Sequence, residues 1–242
     1  MAYGLTQSAD LERGSTQYFS ASDSVSLSPT NNFTFEIWAK FESLPPGAGD
    51  SYNFMSHWNT GDKAFLWRLR EDAGSYKFEA ELTDDGSSGD LQGVTWVPST
   101  GTWYHVAWTF ASGTGKFYVN GAQQGSDVTF SKTTMYNSGA AFNVGSLQGA
   151  NDTFDGRLSL GRVWSVVRTE AEIAGAMCTV FGTATTNMGA EWSLDNVLTD
   201  SSGNTNTLTN VNTVTFGADT PAVCAVVAGG AFRRRMLTGI GA

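Results

Sequence analysis

Between Phe33 and Phe41 the residues Phe33, Phe35, Ile37, Ala39 and Phe41 alternate without a break with Thr34, Glu36, Trp38 and Lys40. A helix returns to the same face every three or four residues, so a strict period of two dictates a strand with one face in a core. The pattern recurs from Trp103 to Phe110, with Tyr104, Val106, Trp108 and Phe110 on one side and Trp103, His105, Ala107 and Thr109 on the other. Behind it come Ser112-Gly113-Thr114-Gly115, a strand over Lys116–Asn120, and Asn120-Gly121, a pair suited to a type I′ turn because both central positions need positive φ. Shorter strands are predicted over 17–20, 52–58, 65–70, 76–82, 94–97, 141–147, 157–166, 190–194 and 207–216. One short helix is expected, since Thr169-Glu170-Ala171-Glu172 is a capping box leading into Ile173, Ala174, Ala176 and Met177. The fold class that follows is all-β, an antiparallel two-sheet jelly-roll β-sandwich with one short helix.

Composition agrees and narrows the partners. Gly, Ser and Thr number 28, 24 and 28, and only 15% of residues are charged, which suits many strands and tight turns. Fourteen basic against 23 acidic residues give a net charge of −9. That excludes nucleic acid, whose binding needs a basic footprint, and disfavours an anionic membrane surface. Three of the basic residues are Arg233, Arg234 and Arg235, so an acidic body precedes a basic end. The chain is therefore divided at the change of texture: a sandwich over 1–217 and an apolar, Arg-rich extension over 218–242. The apolar run 222–232 is about half of what a bilayer span requires, so no membrane insertion is expected. The N-terminus, Met-Ala-Tyr-Gly-Leu, lacks the basic and apolar regions of a Sec signal, and the expectation is release by another route or a trimmed signal. Cys178 and Cys224 either form one bridge that pins the C-terminal segment or are buried thiols. With only His57 and His105 besides, a zinc site of Cys and His is not expected.

The tract Gly101 to Gly121, with Trp103-Tyr104-His105-Val106-Ala107 and Gly115-Lys116-Phe117-Tyr118-Val119-Asn120-Gly121, resembles the central signature of laminin-G-like, pentraxin-like members of the concanavalin A-like lectin/glucanase superfamily. Flanking tracts follow in order: Gln17-Tyr18-Phe19-Ser20, the strand from Phe33 to Lys40, then Phe154-Asp155-Gly156-Arg157-Leu158 through Val163-Trp164 and the capped helix. Trp192-Ser193-Leu194-Asp195 with Asp200-Ser201-Ser202-Gly203-Asn204 resembles a segment that often opens such domains, placed here near the end. The resemblance spans roughly residues 10–216 and implies a concanavalin A-like jelly roll. It leaves function open, because this fold hosts lectins, hydrolases, adhesins and spacers. One departure is Ser159-Leu160-Gly161, where the family often has acidic residues.

Catalysis of glycan hydrolysis would need two carboxylates at about 5–9 Å, which Glu79 and Glu81 supply at i, i+2. Lys77 shares their face, however, and the third acidic residue usual in related hydrolases is missing, so the chain is read as no enzyme. His105 is read as a packing or hydrogen-bonding histidine. Calcium is the expected cofactor, because a hard cation needs six to eight oxygens and two loops offer them. They supply Asn151, Asp152 and Asp155 from one, and Asp200 and Asn204 from the other; the bland alternative is Asx-turns without an ion. Sugar binding needs exposed aromatic faces with amides and carboxylates beside them. Trp103, Trp108, Trp164 and Trp192 are assigned to the core. Trp58, in His57-Trp58-Asn59-Thr60-Gly61-Asp62, and Trp96, after the acidic stretch Asp84 to Gly93, border loops, which makes Trp58, Asn59, Asp62 and Trp96 the candidate ligand residues.

The first reading is thus a non-catalytic recognition module for glycans or other surface polymers, on an extracellular or virion appendage. The alternative is a structural virion decoration or fibre subunit, a homo-oligomer or larger assembly held through Arg233, Arg234 and Arg235. A glycoside hydrolase is the third.

Overall fold

In the computed structural model, which describes residues 4–149, 151–183 and 185–224, the two alternating segments lie side by side. They are β3 (Asn32–Phe41) and β8 (Trp103–Ala111), paired antiparallel from Asn32↔Ala111 to Lys40↔Trp103. Around them an eight-stranded sheet runs β10 (Ala122–Thr129), β9 (Thr114–Val119), β8, β3, β12 (Gly156–Trp164), β1 (Ser8–Leu11) and β15 (Thr215–Gly217), with β13 (Met188–Trp192) also paired to β12. The second sheet has seven strands, in the order β14 (Thr209–Val211), β2 (Tyr18–Ala21), β11 (Phe142–Val144), β4 (Ser51–Asn59), β5 (Asp62–Asp72), β6 (Ser75–Leu82) and β7 (Asp90–Thr95). The expected sandwich is therefore present, and it contains two strands the periodicity did not give, β1 and β10.

One aromatic-rich core fills the space between the sheets, with Phe33, Phe35, Ile37, Trp108 and Phe110 facing Phe54, Phe65, Trp67, Phe78 and Phe142. Phe35 stacks on Phe65 at 4.5 Å between ring centres. Local chemistry matches the sequence at the turns: Asn120 and Gly121 have φ of 52° and 81°. The helix α1 (Glu170–Ala176) begins with the complete capping box between Thr169 and Glu172, a feature worth about 1 kcal/mol. Gly121 is also where this helix seats, since a Cβ there would lie 2.7 Å from that of Ala174.

The other face of β3 and β8 is not left to solvent. Helix α1, residues 177–183 and residues 219–224 cover it, and Cys178 and Cys224 are joined in a disulfide that ties the last two together. The open alternative for the cysteines thus resolves to the bridge. Beneath this cover Trp38 donates its indole N–H to the carbonyl of Met177 (2.8 Å) and packs with Leu5, Leu160 and Cys224. Leu160 reaches this side because a bulge follows Ser159 and gives it a φ of 46°. Trp103 is half-buried here beside Asp219 and not in the core, a correction with a simple cause: it lies on the outward side of β8. The predicted assembly residues Arg233, Arg234 and Arg235 lie outside the described residues.

Also under the cover is a wholly buried ionic group. Arg162 lies between Glu36 (3.4 Å) and Glu191 (3.3 Å), and all three have no exposed side-chain surface. Trp164 donates to Glu36 (2.7 Å), while the backbone N–H groups of Phe181 and Gly182 and the Ser201 hydroxyl serve Glu191. His105, equally buried, stands 3.3 Å from Glu36. Burial pushes the Glu36 carboxyl up, but His105, Arg162 and Arg168 outweigh it and hold the group below the usual range. Burial lowers both histidines, and Arg162 lowers His105 further while Glu36 opposes.

A depressed histidine pKa means that the unfolded chain takes up a proton before the folded one does. Stability from this source is complete above the ordinary value near 6.5 and falls as pH drops below it. Thermal denaturation from pH 8 to pH 5 should show a level melting temperature above pH 7 and a decline below about 6.5. In His105→Gln the decline should be shallower, whatever the variant's absolute stability.

Candidate functional site

On the outer side of the seven-stranded sheet, β2 and β11 alternate as the rest of the fold does. Phe19, Ala21, Phe142 and Val144 enter the core, so Tyr18, Ser20 and Asn143 face outward. Beside them β4 carries a register shift between His57 and Trp58, and its last two residues pair with Lys63 and Asp62 across Thr60-Gly61. The result is a cleft of about 350 Å³ lined by Tyr18, Ser20, Trp58, Asn59, Asn143 and Gln148. Trp58 is half-buried, and the Lys63 ammonium sits 5.1 Å from its ring centre. Lys63 comes from β5, on the side of β4 away from β11, so the indole is braced on one side and open to the cleft on the other.

Gln148 and Gly149 form one wall. The backbone before them is fastened to β4 by Ser56, whose hydroxyl donates to Ser146 O (2.8 Å), and the backbone after them by the Asn53 amide, which donates to Asp152 O (3.1 Å). At the rim the Gln148 amide donates to Asn59 Oδ1 at 2.5 Å. An aromatic face edged by amides and hydroxyls is the chemistry that holds a sugar ring: C–H groups on the indole, hydroxyls on the polar rim.

Two predicted ligand residues, Trp58 and Asn59, line this cleft. Asp62 pairs with Asn59 but turns its carboxylate to the backbone N–H of Gly139 (3.1 Å). Trp96 is corrected: only 8% exposed, it packs against Phe41, Phe78 and Tyr104 at 5.2–6.0 Å. Val94 and Trp96 continue the inward face of the β7 segment, so this indole belongs to the core and offers no platform. Tyr18, Ser20, Asn143 and Gln148 were missed. The first three show only as polar positions alternating with core residues, a signal shared by every outward-facing strand residue.

Glu79 and Glu81 project outward from β6, two strands from β4. Glu79 is 3% exposed and clamped by Arg68 (2.8 Å) and Arg70 (2.7 Å), which leaves it a structural carboxylate. Burial raises Glu81, whose side chain lies against Gly89.

The loops considered for calcium are far apart. Asp200 accepts from Glu191 N, and Glu191 pairs with Arg162, seven residues along β12 from Asp155, or on the order of 20 Å. Four N–H groups, from Glu191, Ser202 and twice from Asn206, reach the Asp200 carboxylate at 2.9–3.1 Å, and Asn204 donates to the carbonyls of Met188 and Gly189. Every lone-pair direction of Asp200 is used in bracing its loop. Asp155 accepts from Arg13 N (3.1 Å) and the Ser43 hydroxyl, Asn151 donates to Gln148 O, and Asp152 contributes its carbonyl to Asn53. The acidic side chains that do converge among the described residues are others: Asp10, Glu12 and Glu42.

A larger cleft, of about 630 Å³, opens on the eight-stranded sheet between Trp103 and residues 219–223. Four of its polar side chains are engaged with one another or with a backbone carbonyl. Trp38 bonds Met177, while Trp103 (3.0 Å) and Lys40 both bond Asp219.

A family model described as Laminin_G_3, concanavalin A-like lectin/glucanases superfamily, matches residues 13–174. No curated protein sequence matches the chain. Among solved structures, a candidate carbohydrate-binding protein from Bacteroides ovatus is 24% identical with a TM-score of 0.69, covering 89% of this chain and 60% of its own. The chain thus spans less than two thirds of that protein. A heptameric pentraxin from Limulus polyphemus is 14% identical (TM-score 0.62, 92% and 98% covered). The enzymatically active domain of tailspike protein 2 of bacteriophage CBA120 is 12% identical (TM-score 0.53, 81% and 34% covered). At these identities the likeness is one of fold.

Proposed function

The chain belongs to the concanavalin A-like lectin/glucanases superfamily, and from that premise we propose that it is a non-catalytic, lectin-like module that binds glycans at the Trp58 cleft. One observation carries the reading: a half-buried indole braced by Lys63 stands beside Tyr18, Ser20, Asn143 and Gln148 in a cleft that no other element of the described residues fills. The clamping of Glu79 by two arginines supports binding over hydrolysis. The Cys178–Cys224 disulfide supports an extracellular or surface-displayed setting, because such bonds persist in oxidising compartments.

Trp58→Ala is the test. Its ring lies outside the core, so the melting temperature should stay within about 2 °C, as for surface substitutions generally. Glycan-array and calorimetric binding should fall at least tenfold, about 1.4 kcal/mol. Wild-type protein that binds no glycan, or binds equally well without the indole, would end the proposal.

A further inference from the structure

The charges around the Trp58 cleft are arranged in a particular way. The side chains lining it are uncharged throughout: two aromatic rings, three amides and a hydroxyl, with Ala140, Ala141 and Gly149 between them. A cation, Lys63, stands against the indole from outside the lining and donates to Ser87 O (3.2 Å). Neighbouring carboxylates are also outside the lining: Asp62 faces Gly139, and Asp23 lies 3.5 Å from His57, whose Nε2 bonds the carbonyl of Ala140. A ligand carboxylate or sulfate entering here would lose water and find no cation among the lining side chains, in a chain whose net charge is −9. Burial of a charge without a partner is strongly unfavourable.

The shape limits the ligand as well. Gln148 closes onto Asn59 at the rim, and Ser56 fastens the backbone just before it. About 350 Å³ is near the lower end of ligand pockets, room for little more than one sugar ring. A cleft of that size suits the end of a glycan chain better than a long internal stretch.

Resting on the reading above, we infer that the cleft takes the terminal residue of an uncharged glycan and discriminates against uronic, sialic and sulfated sugars. Asn and Gln amides can each donate and accept, which suits hydroxyl groups; the indole takes the apolar face of the ring.

The experiment uses the full chain with methyl glycosides of glucose, galactose, mannose and N-acetylglucosamine, the matching methyl uronosides of glucose and galactose, and neutral oligomers of two to six residues. Binding is read by saturation-transfer NMR and calorimetry, with Trp58→Ala in parallel. The expected result is Trp58-dependent binding of at least one neutral glycoside, at least tenfold weaker binding of the uronoside, and affinity constant within about twofold from dimer to hexamer. A uronoside bound as well as its neutral partner, or affinity that climbs with each added residue, overturns the inference while the glycan-binding reading stands. Absence of any Trp58-dependent binding overturns the reading itself and the inference with it.

Discussion

Arg162→Met should destabilise the fold by about 3–5 kcal/mol, the usual cost of breaking a buried ion pair by removing one partner. Urea denaturation of wild type and variant measures this, and the melting temperature should fall by on the order of 10 °C. The reason lies in what remains. Glu191 keeps two backbone N–H groups and a hydroxyl, whereas Glu36 keeps one indole N–H, with Arg168 at 3.8 Å and His105 at 3.3 Å. Most of the loss should therefore come from Glu36, and adding Glu36→Gln should restore more than half of it. A double-mutant cycle that finds the two changes additive would show the pair to be uncoupled. The single variant should also flatten the pH trend. Burial and, after it, Arg162 hold the His105 pKa down, so without Arg162 the imidazole is held down less and less stability is lost below about pH 6.5.

Cys224→Ser should have the second largest effect. The bridge closes 46 residues, for which chain entropy gives about 4 kcal/mol, and measured losses for such bonds lie at about 2–4. Here the loss should be local before it is global. Residues 219–224 retain the Lys40 and Trp103 contacts to Asp219, but Leu5 N–H bonds the carbonyl of Cys224 itself (3.2 Å). Hydrogen exchange at Leu5 should accelerate by orders of magnitude, with the amides of β4 and β11 far less changed. Glycan binding at Trp58 should be unaltered, because that cleft is on the other sheet. A variant with wild-type melting temperature and wild-type exchange at Leu5 would show that the bond bears no load.

Much of this architecture was legible in the chain because its evidence is local. Alternation fixed β3 and β8 and the residues each sends to the core; the capping box fixed the helix start; Asn120-Gly121 fixed a turn. Strand β10 was not legible, since Ala122 to Thr129 is mostly polar and exposed on both sides of an edge, with no apolar alternation to announce it. The cysteine pairing was undecidable for a different reason: nothing in the intervening sequence says that residue 178 and residue 224 meet over Trp38. At the site, Trp58 and Asn59 were found because a tryptophan beside a turn sequence is a local signal. The same signal misplaced Trp96, where the strand's inward face runs on into the segment taken for a loop border. Tyr18, Ser20 and Asn143 needed the knowledge that β11 inserts between β2 and β4, which is a property of the whole sheet.

The cover over the eight-stranded sheet also fixes an orientation. Residues 219–224 end at Cys224 on that side of the sandwich, fastened by the disulfide, while the Trp58 cleft opens through the opposite side. The fastened cover and the mouth of the cleft thus lie on opposite faces of the sandwich. Contact made on the covered face would leave the mouth free, so the two faces can be occupied at once.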